Sequence, residues 1–525
     1  MRPELKVCLG TAALLCNLTV KSSAQERPNI LFIMADDHTS QSWGIYGGIL
    51  EKHTPDSNIK RLAAKGCVLN NCFCTNSICV PSRASIMTGQ YSNRNGVYTL
   101  SDGLPTESGS VAKILQQNGY ETALFGKWHL KKEPAGFETY KVLPGQGRYQ
   151  NPYYLTKGNW RDNETGGTEY QGFETDITTS FAIDWMKNRD DKKPFFLMCH
   201  FKATHEPWEY AERFENLYQD ADLPYPSGIL DFGKETTGRT FKGQQLEILG
   251  SRWVQASLFP GKGWTSYPGL PFSLEGLDSI QARKKIYQKF VKDYLRCAAG
   301  INDNLGKILD YLEETGLDKN TVVIYTSDQG YFLGEHGFFD KRMIYEESLR
   351  MPFVICYPKE IKGGKRIDDI ILNIDFPALF LDYAGVKKPE DMQGESFREN
   401  LRGKTPGNWR KSMYYRYWEN EPLRPAHLGI RNERYKLALF YGQPKASSSK
   451  KIVLPDLPAW EFYDLKKDPQ ETRNAVEDPR YRAVIAEMRK ELIKLREDYQ
   501  DTDDGDPVIQ DIVTRYLYTN EINER

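Results

Sequence analysis

Pro28-Asn29-Ile30-Leu31-Phe32-Ile33-Met34-Ala35 runs directly into Asp36-Asp37-His38. The apolar run does not alternate with polar residues, so it reads as a strand buried on both faces within a parallel sheet. Its end in two carboxylates puts acid at the carboxyl edge of that strand, where open α/β folds bind ligands. Adjacent carboxylates repel unless a cation holds them, and a metal ion explains the pair economically. A turn or helix cap accounts for one Asp more readily than for two.

A second strand ends in the same way. Thr321-Val322-Val323-Ile324-Tyr325-Thr326-Ser327 is followed by Asp328-Gln329-Gly330. Three carboxylates and an amide oxygen are hard donors, suited to Ca²⁺ or Mg²⁺ rather than Zn²⁺. Between the two strands, helical spacing places Ile59, Leu62 and Ala63 on one face after Asp56-Ser57, and Val111, Ile114 and Leu115 on another before Gly119. Strand signals follow at Thr122 to Phe125 and Lys193 to Phe201, with a helix at Asp176 to Met186. A long helix is expected from Tyr287 to Thr315, stopping at Gly316. Alternating strands and helices predict an α/β fold with a large, mostly parallel sheet flanked by helices.

After Gly403 the texture changes. Strand-like runs at Ser412 to Trp418, Leu428 to Phe440 and Trp460 to Leu465 precede a helix at Tyr481 to Tyr499, which predicts a smaller antiparallel sheet plus helix. The expected organisation is a leader at 1–24, a catalytic domain at 25–402 and a C-terminal subdomain at 403–525. Residues 206–290 carry scattered Pro, Gly and aromatic residues, the texture of a functional or covering insertion. Ala446 to Lys451 reads as a solvated loop.

Bulk properties narrow the function. The 525 residues carry 70 basic and 71 acidic side chains, which gives no basic surplus for nucleic acid. The mean hydropathy of −0.61 fits a water-exposed chain rich in Tyr and Trp. Arg2 and Lys6, the apolar Val7 to Val20 and the small Ser22-Ser23-Ala24 make an export signal, with cleavage expected after Ala24 and a periplasmic destination. That run is too short for a stable membrane span, and Leu15 before Cys16 does not suit a lipid anchor. Nine cysteines include two in the leader, so an exported chain could pair some of the rest. Cys72 and Cys74 beside Cys79 lack further ligands at zinc spacing.

The chemistry concentrates at Cys79-Val80-Pro81-Ser82-Arg83, followed by Ala84-Ser85-Ile86-Met87-Thr88-Gly89. This stretch resembles the C-x-P-S-R signature of type I sulfatases, a family with an alkaline-phosphatase-like fold. Gly126-Lys127-Trp128-His129-Leu130 is similar to its G-K-W-H-L-G element. Lys202-Ala203-Thr204-His205-Glu206-Pro207-Trp208 is similar to its H-x-P-W segment. Gly334-Glu335-His336-Gly337 with Lys341 resembles G-E-H-G-x-x-x-K, and Trp460 to Pro469 resembles a C-terminal E-L-Y-D-L-x-x-D-P element. The run from Asp328 to Pro352 looks most like N-acetylglucosamine-6-sulfatase-type members. The likeness spans Arg27 to Pro469, apart from the insertion after Glu206.

The resemblance implies hydrolysis of carbohydrate sulfate esters, with 6-O-sulfated hexose or hexosamine slightly favoured over 2-O, 3-O or 4-O esters. It implies that a maturation enzyme oxidises Cys79 to formylglycine, whose hydrate attacks sulfur and then expels sulfate. One Ca²⁺ would be held by Asp36, Asp37, residue 79, Asp328 and Gln329, the last replacing the usual Asn. Lys127 and Lys341 would hold sulfate oxygens, and Arg83 would anchor the formylglycine oxygen and nearby carboxylates. His205, with Lys341, would protonate the leaving oxygen, and His129 would be the base for elimination. Lys202 and His427 are substrate-binding candidates, His336 is structural, and His38 neighbours the metal carboxylates. A phosphonate or phosphate monoester hydrolase of the same superfamily is the alternative. A non-catalytic glycan binder would have lost Cys79 or a metal acid, and neither is missing.

Overall fold

The computed structural model describes residues 27–161, 165–230, 243–260, 267–419, 424–442, 459–503 and 507–518. The leader and the Ser-rich patch at 446–451 lie outside the described residues. The larger sheet is built from β1 (Asn29–Ala35), β2 (Cys67–Leu69), β3 (Glu121–Lys127), β4 (Thr139–Leu143), β5 (Phe195–His200), β6 (Thr321–Ser327), β7 (Phe353–Cys356) and β8 (Lys365–Ile367). Their order across the sheet is β8-β2-β7-β6-β1-β5-β3-β4. Only β7 runs against the rest, pairing antiparallel with both β2 and β6. The mostly parallel sheet expected from the strand texture is therefore present.

β1 and β6 are buried along their whole length and lie side by side, as their unbroken apolar runs require. Their register pairs Ala35 with Ser327, so both strands end at the same level and release their acids together. β5 and β3 continue the same edge, with Met34 opposite His200 and His200 opposite Gly126. Four neighbouring strands thus deliver Asp328, Asp36, Lys202 and Lys127 to one rim. Gly126 has φ +95°, and a Cβ there would lie 1.8 Å from the His200 carbonyl oxygen, so only glycine fits this close strand pairing.

The long helix covers Ser279–Thr315, 37 residues, and starts eight residues before the expected Tyr287. A reciprocal capping box between Asp278 and Gln281 fixes that start. Gly316, at φ 70°, ends it. The insertion also contains a helix, Leu246–Leu258, which buries Leu246, Leu249 and Trp253. The smaller sheet consists of β9 (Ser412–Tyr417), β10 (His427–Asn432), β11 (Tyr435–Phe440) and β12 (Ala459–Asp464), all antiparallel. The single strand-like run Leu428 to Phe440 is in fact a hairpin. Asn432 turns the chain by accepting from the amides of Arg434 and Tyr435 at 3.0 and 2.8 Å. The helix Arg482–Asp498 packs on this sheet through Ile485, Met488 and Leu492. The cysteines at 67, 72, 74, 79, 199, 297 and 356 are all free and buried, so the pairing open to an exported chain is not found among the described residues. No described helix is long and apolar enough to cross a membrane.

Candidate active site

Cys79 opens a ten-residue helix, Cys79–Thr88, in which every residue is buried. Pro81 is tolerated because it lies in the first turn, where its missing N–H has no helical partner to lose. Arg83 follows one turn after Cys79 and so emerges on the same side. Its Nε donates to Asp328 Oδ2 at 2.9 Å, Nη1 to the Lys127 carbonyl at 2.7 Å and Nη2 to Asp36 Oδ1 at 3.3 Å. Ser82 donates to the Asp328 carbonyl. The pattern C-x-P-S-R is thus a helix start that carries a thiol and two residues fastening it to the strand ends.

Asp36, Asp37 and Asp328 each offer an oxygen, and these atoms lie within 4.8 Å of one another. Asp37 adopts φ 61° and its amide donates to Asp328 Oδ1 at 3.1 Å. Cys79 Sγ lies 3.8 Å from Asp37 Oδ1 and 3.7 Å from Gln329 Nε2. Gln329 Oε1 is buried without a hydrogen-bond partner. Gln329 Nε2 donates to Asp37, and three clustered carboxylates with an amide whose buried oxygen is orphaned make a donor set that fits a hard divalent cation.

The cations are placed against these acids. Lys127 donates to Asp36 and, at 2.7 Å, to Gln146 Oε1; Lys341 donates to Asp37. Burial would raise Asp36, but Lys127, His205, Arg83 and Lys341 outweigh it and hold that carboxyl well below its usual range. Burial raises Asp37, against Lys341. It pushes Asp328 up to about 7, against Arg83. Burial also drives the Cys79 thiol upward, against the Lys341 charge. With Arg83, Lys127 and Lys341 matching the three carboxylates, a divalent cation would leave the pocket with about two positive charges, suited to an anionic ester.

His205 Nε2 lies 3.7 Å from Asp37 Oδ2, and its Nδ1 pairs with the Glu206 carbonyl at 2.8 Å. His129 adopts φ 60° and its buried Nδ1 has no partner. Burial, followed by the Lys127 charge, keeps both imidazoles well below their usual range. Burial lowers the Lys202 ammonium to about 8, and it lies 4.8 Å over the Tyr149 ring. His38 pairs through Nδ1 with the Tyr325 hydroxyl and packs edge-on against Trp43. His336 stacks on Tyr345. His427 lies in the smaller sheet against Phe440, Tyr415 and Tyr417. Its Nδ1 pairs with the Pro425 carbonyl at 2.8 Å, and its buried Nε2 has no partner. The Tyr415 hydroxyl donates to the Arg342 carbonyl, which brings His427 near the Lys341 segment.

Several contributors carry no motif. Gln146 receives Lys127, His200 pairs through Nδ1 with the Lys127 carbonyl at 3.2 Å, and the Tyr149 hydroxyl donates to the His205 carbonyl at 2.7 Å. Asp340 and Arg342, both at positive φ, pair with each other on either side of Lys341. The two φ > 0 residues flanking a lysine leave no trace in composition or periodicity.

Clustered carboxylates at the edge of a parallel sheet, a buried residue 79 and three cations paired with those acids make a site suited to a metal-assisted hydrolase of anionic esters. Comparison with known proteins makes this specific. The sulfatase family model matches residues 28–386, and one for the C-terminal part of N-sulphoglucosamine sulphohydrolase matches 334–498. The chain belongs to the sulfatase family and is a sulfuric ester hydrolase. It is similar to an N-acetylglucosamine-6-O-sulfatase of Bacteroides thetaiotaomicron, 38% identical over 92% of this chain and 88% of the relative. The human N-acetylglucosamine-6-sulfatase is 25% identical over 75% of this chain and 68% of its own length. A solved structure in complex with its substrate D-glucosamine-2-N,6-O-disulfate superposes with a TM-score of 0.82 at 34% identity, covering 92% of this chain and all of that one. A phosphonate monoester hydrolase of Agrobacterium radiobacter shares the fold, with a TM-score of 0.66 at 20% identity over 90% of this chain and 96% of its own.

Proposed function

We propose that this chain removes the 6-O-sulfate of glucosamine-type sugars, using formylglycine made from Cys79 by a maturation enzyme. The observation that carries the reading is the 38% identity, over nearly the whole chain, to a relative named for that reaction. The hydrated aldehyde supplies an oxygen nucleophile and a second hydroxyl through which sulfate can leave. Asp36, Asp37, Asp328 and Gln329, with residue 79, would hold one Ca²⁺, whose charge offsets that of the sulfate oxygens. The Cys79 Sγ marks where the hydrate oxygens would stand.

Lys127 and Lys341 bind the equatorial sulfate oxygens and take up charge in the transition state. Arg83 keeps residue 79 registered against Asp36 and Asp328. His205 delivers a proton to the sugar oxygen from Nε2; the arriving anion favours its protonated form. His129 accepts the proton released in the elimination step. Lys202 shapes the pocket from beside Tyr149. His427 offers Nε2 to a substrate hydroxyl, because Nδ1 is engaged with Pro425. We further propose export to the periplasm after removal of residues 1–24, with 25–402 carrying catalysis and 403–525 closing over it.

The test is release of inorganic sulfate from glucosamine derivatives singly sulfated at O3 or O6, using protein co-produced with a maturation enzyme. Release from the 6-O ester at a rate at least tenfold above the 3-O ester supports the reading. Preference for the 3-O ester, or equal rates, rejects the assigned position.

A further inference from the structure

The insertion after Glu206 is the long stretch that no motif explains, and it reaches the active site at two points. Glu206 follows His205, and its carbonyl takes the His205 Nδ1 at 2.8 Å. Its carboxylate receives Arg252 Nη1 on both oxygens at 2.9 Å and the Tyr267 hydroxyl at 2.6 Å. Arg252 belongs to the insertion helix Leu246–Leu258, and its guanidinium lies 5.6 Å over the Phe339 ring. Two residues before that helix, Gln244 accepts from the Phe339 amide at 2.8 Å and donates through Nε2 to the Lys341 carbonyl. From the opposite side Tyr149 donates to the His205 carbonyl at 2.7 Å.

From this arrangement we infer that the insertion is a bracket, in which Glu206, Arg252 and Tyr267 position His205, and Gln244 positions Lys341. The inference rests on the reading of His205 as the group that protonates the leaving oxygen. None of the bracket residues touches substrate in this account; they act through His205 and Lys341. With Nδ1 tied to the Glu206 carbonyl, Nε2 is the nitrogen turned toward Asp37 and the pocket. The Glu206 side chain is only 12% exposed, so its bonds to Arg252 and Tyr267 are charge-assisted and shielded. An open surface ion pair would constrain far less. Loosening the bracket shifts the imidazole relative to the leaving oxygen, and a displacement of about 1 Å at a reacting group costs up to roughly 100-fold in rate.

Arg252→Met removes both bonds to Glu206 while keeping the bulk of the side chain, and Tyr267→Phe removes the third. Each is made in the wild type and in His205→Ala, and kcat and KM are measured on a glucosamine 6-O-sulfate and on an aryl sulfate with an acidic phenol. The bracket predicts that Arg252→Met lowers kcat on the sugar ester roughly tenfold or more. Tyr267→Phe costs less, KM stays within about twofold, and the aryl ester is nearly unaffected. In His205→Ala neither change lowers the rate further, because the group being positioned is gone. Arg252→Lys restores part of the loss. Equal losses on both esters, or the same loss with and without His205, overturn the bracket and leave a structural ion pair. If His205→Ala itself slows both esters equally, the acid role falls and the bracket with it.

Discussion

Arg83 is the side chain on which the charge arrangement of the site turns. It is 2% exposed, bonds two of the three carboxylates, and also reaches the carbonyl of the lysine that neutralises one of them. Arg83→Met leaves Asp328 without its guanidinium and deprives Asp36 of one partner. Breaking a buried pair from one side costs about 3–5 kcal/mol, so denaturant unfolding should show a loss of that size. Glu174 gives a pH-dependent test. Burial raises its carboxyl from 4.5 to about 7, against bonds from Thr178, the Lys202 amide and Thr175. A raised carboxylate binds its proton more tightly in the folded state, so its contribution is greatest below about pH 4.5 and is lost as pH rises toward 7. The stability of wild type relative to Glu174→Gln should therefore fall across that window by on the order of 3 kcal/mol. A flat difference would show that Glu174 is not held protonated. At this scale the sequence announced acids, lysines and the cysteine through motif spacing. It did not announce Gln146 or Tyr149, which are ordinary residues until the strands bring them beside Lys127 and His205.

At the scale of elements, the site exists because four parallel strands end level with one another. Gly126 is the tightest point of that arrangement. Gly126→Ala would press a methyl into the His200 carbonyl at a positive φ, and should destabilise the fold by more than about 3 kcal/mol. Activity should fall further than stability, because Lys127 is the next residue; a near-native melting temperature would contradict the packing described. The buried runs of β1 and β6 were legible because neither face can be polar. The first two turns of the long helix lie ahead of the span its apolar periodicity marks, although Asp278 and Gln281 stand at capping-box spacing. The β10–β11 hairpin looks like one strand in the sequence because its turn, Glu433-Arg434, contains neither Gly nor Pro. The helix at Leu246–Leu258 was hidden by its setting among Pro- and Gly-rich flanks, and its role depends on contacts from Arg252 to Glu206 that only folding creates.

For the whole molecule, a neutral chain surrounds a pocket whose own acids and bases already cancel. A divalent cation held by the clustered carboxylates would give the pocket its attraction for sulfate. Removing it with a chelator should abolish turnover and lower the melting temperature, and adding back Ca²⁺ should reverse both. At a hundred times its Kd the ion contributes about 2.7 kcal/mol. An unchanged melting curve and undiminished turnover in excess chelator would argue against a metal at Asp36, Asp37 and Asp328. Residue 79 is buried among those acids, its Sγ 3.8 Å from Asp37 Oδ1, where the formylglycine would stand. Mass spectrometry of the tryptic peptide carrying residue 79 measures the fraction present as aldehyde, and the same preparations can be assayed for sulfate release. Preparations made with varying amounts of maturation enzyme should give rates proportional to the aldehyde fraction, with none from Cys79→Ala. Full turnover from protein whose Cys79 is entirely thiol would contradict the account.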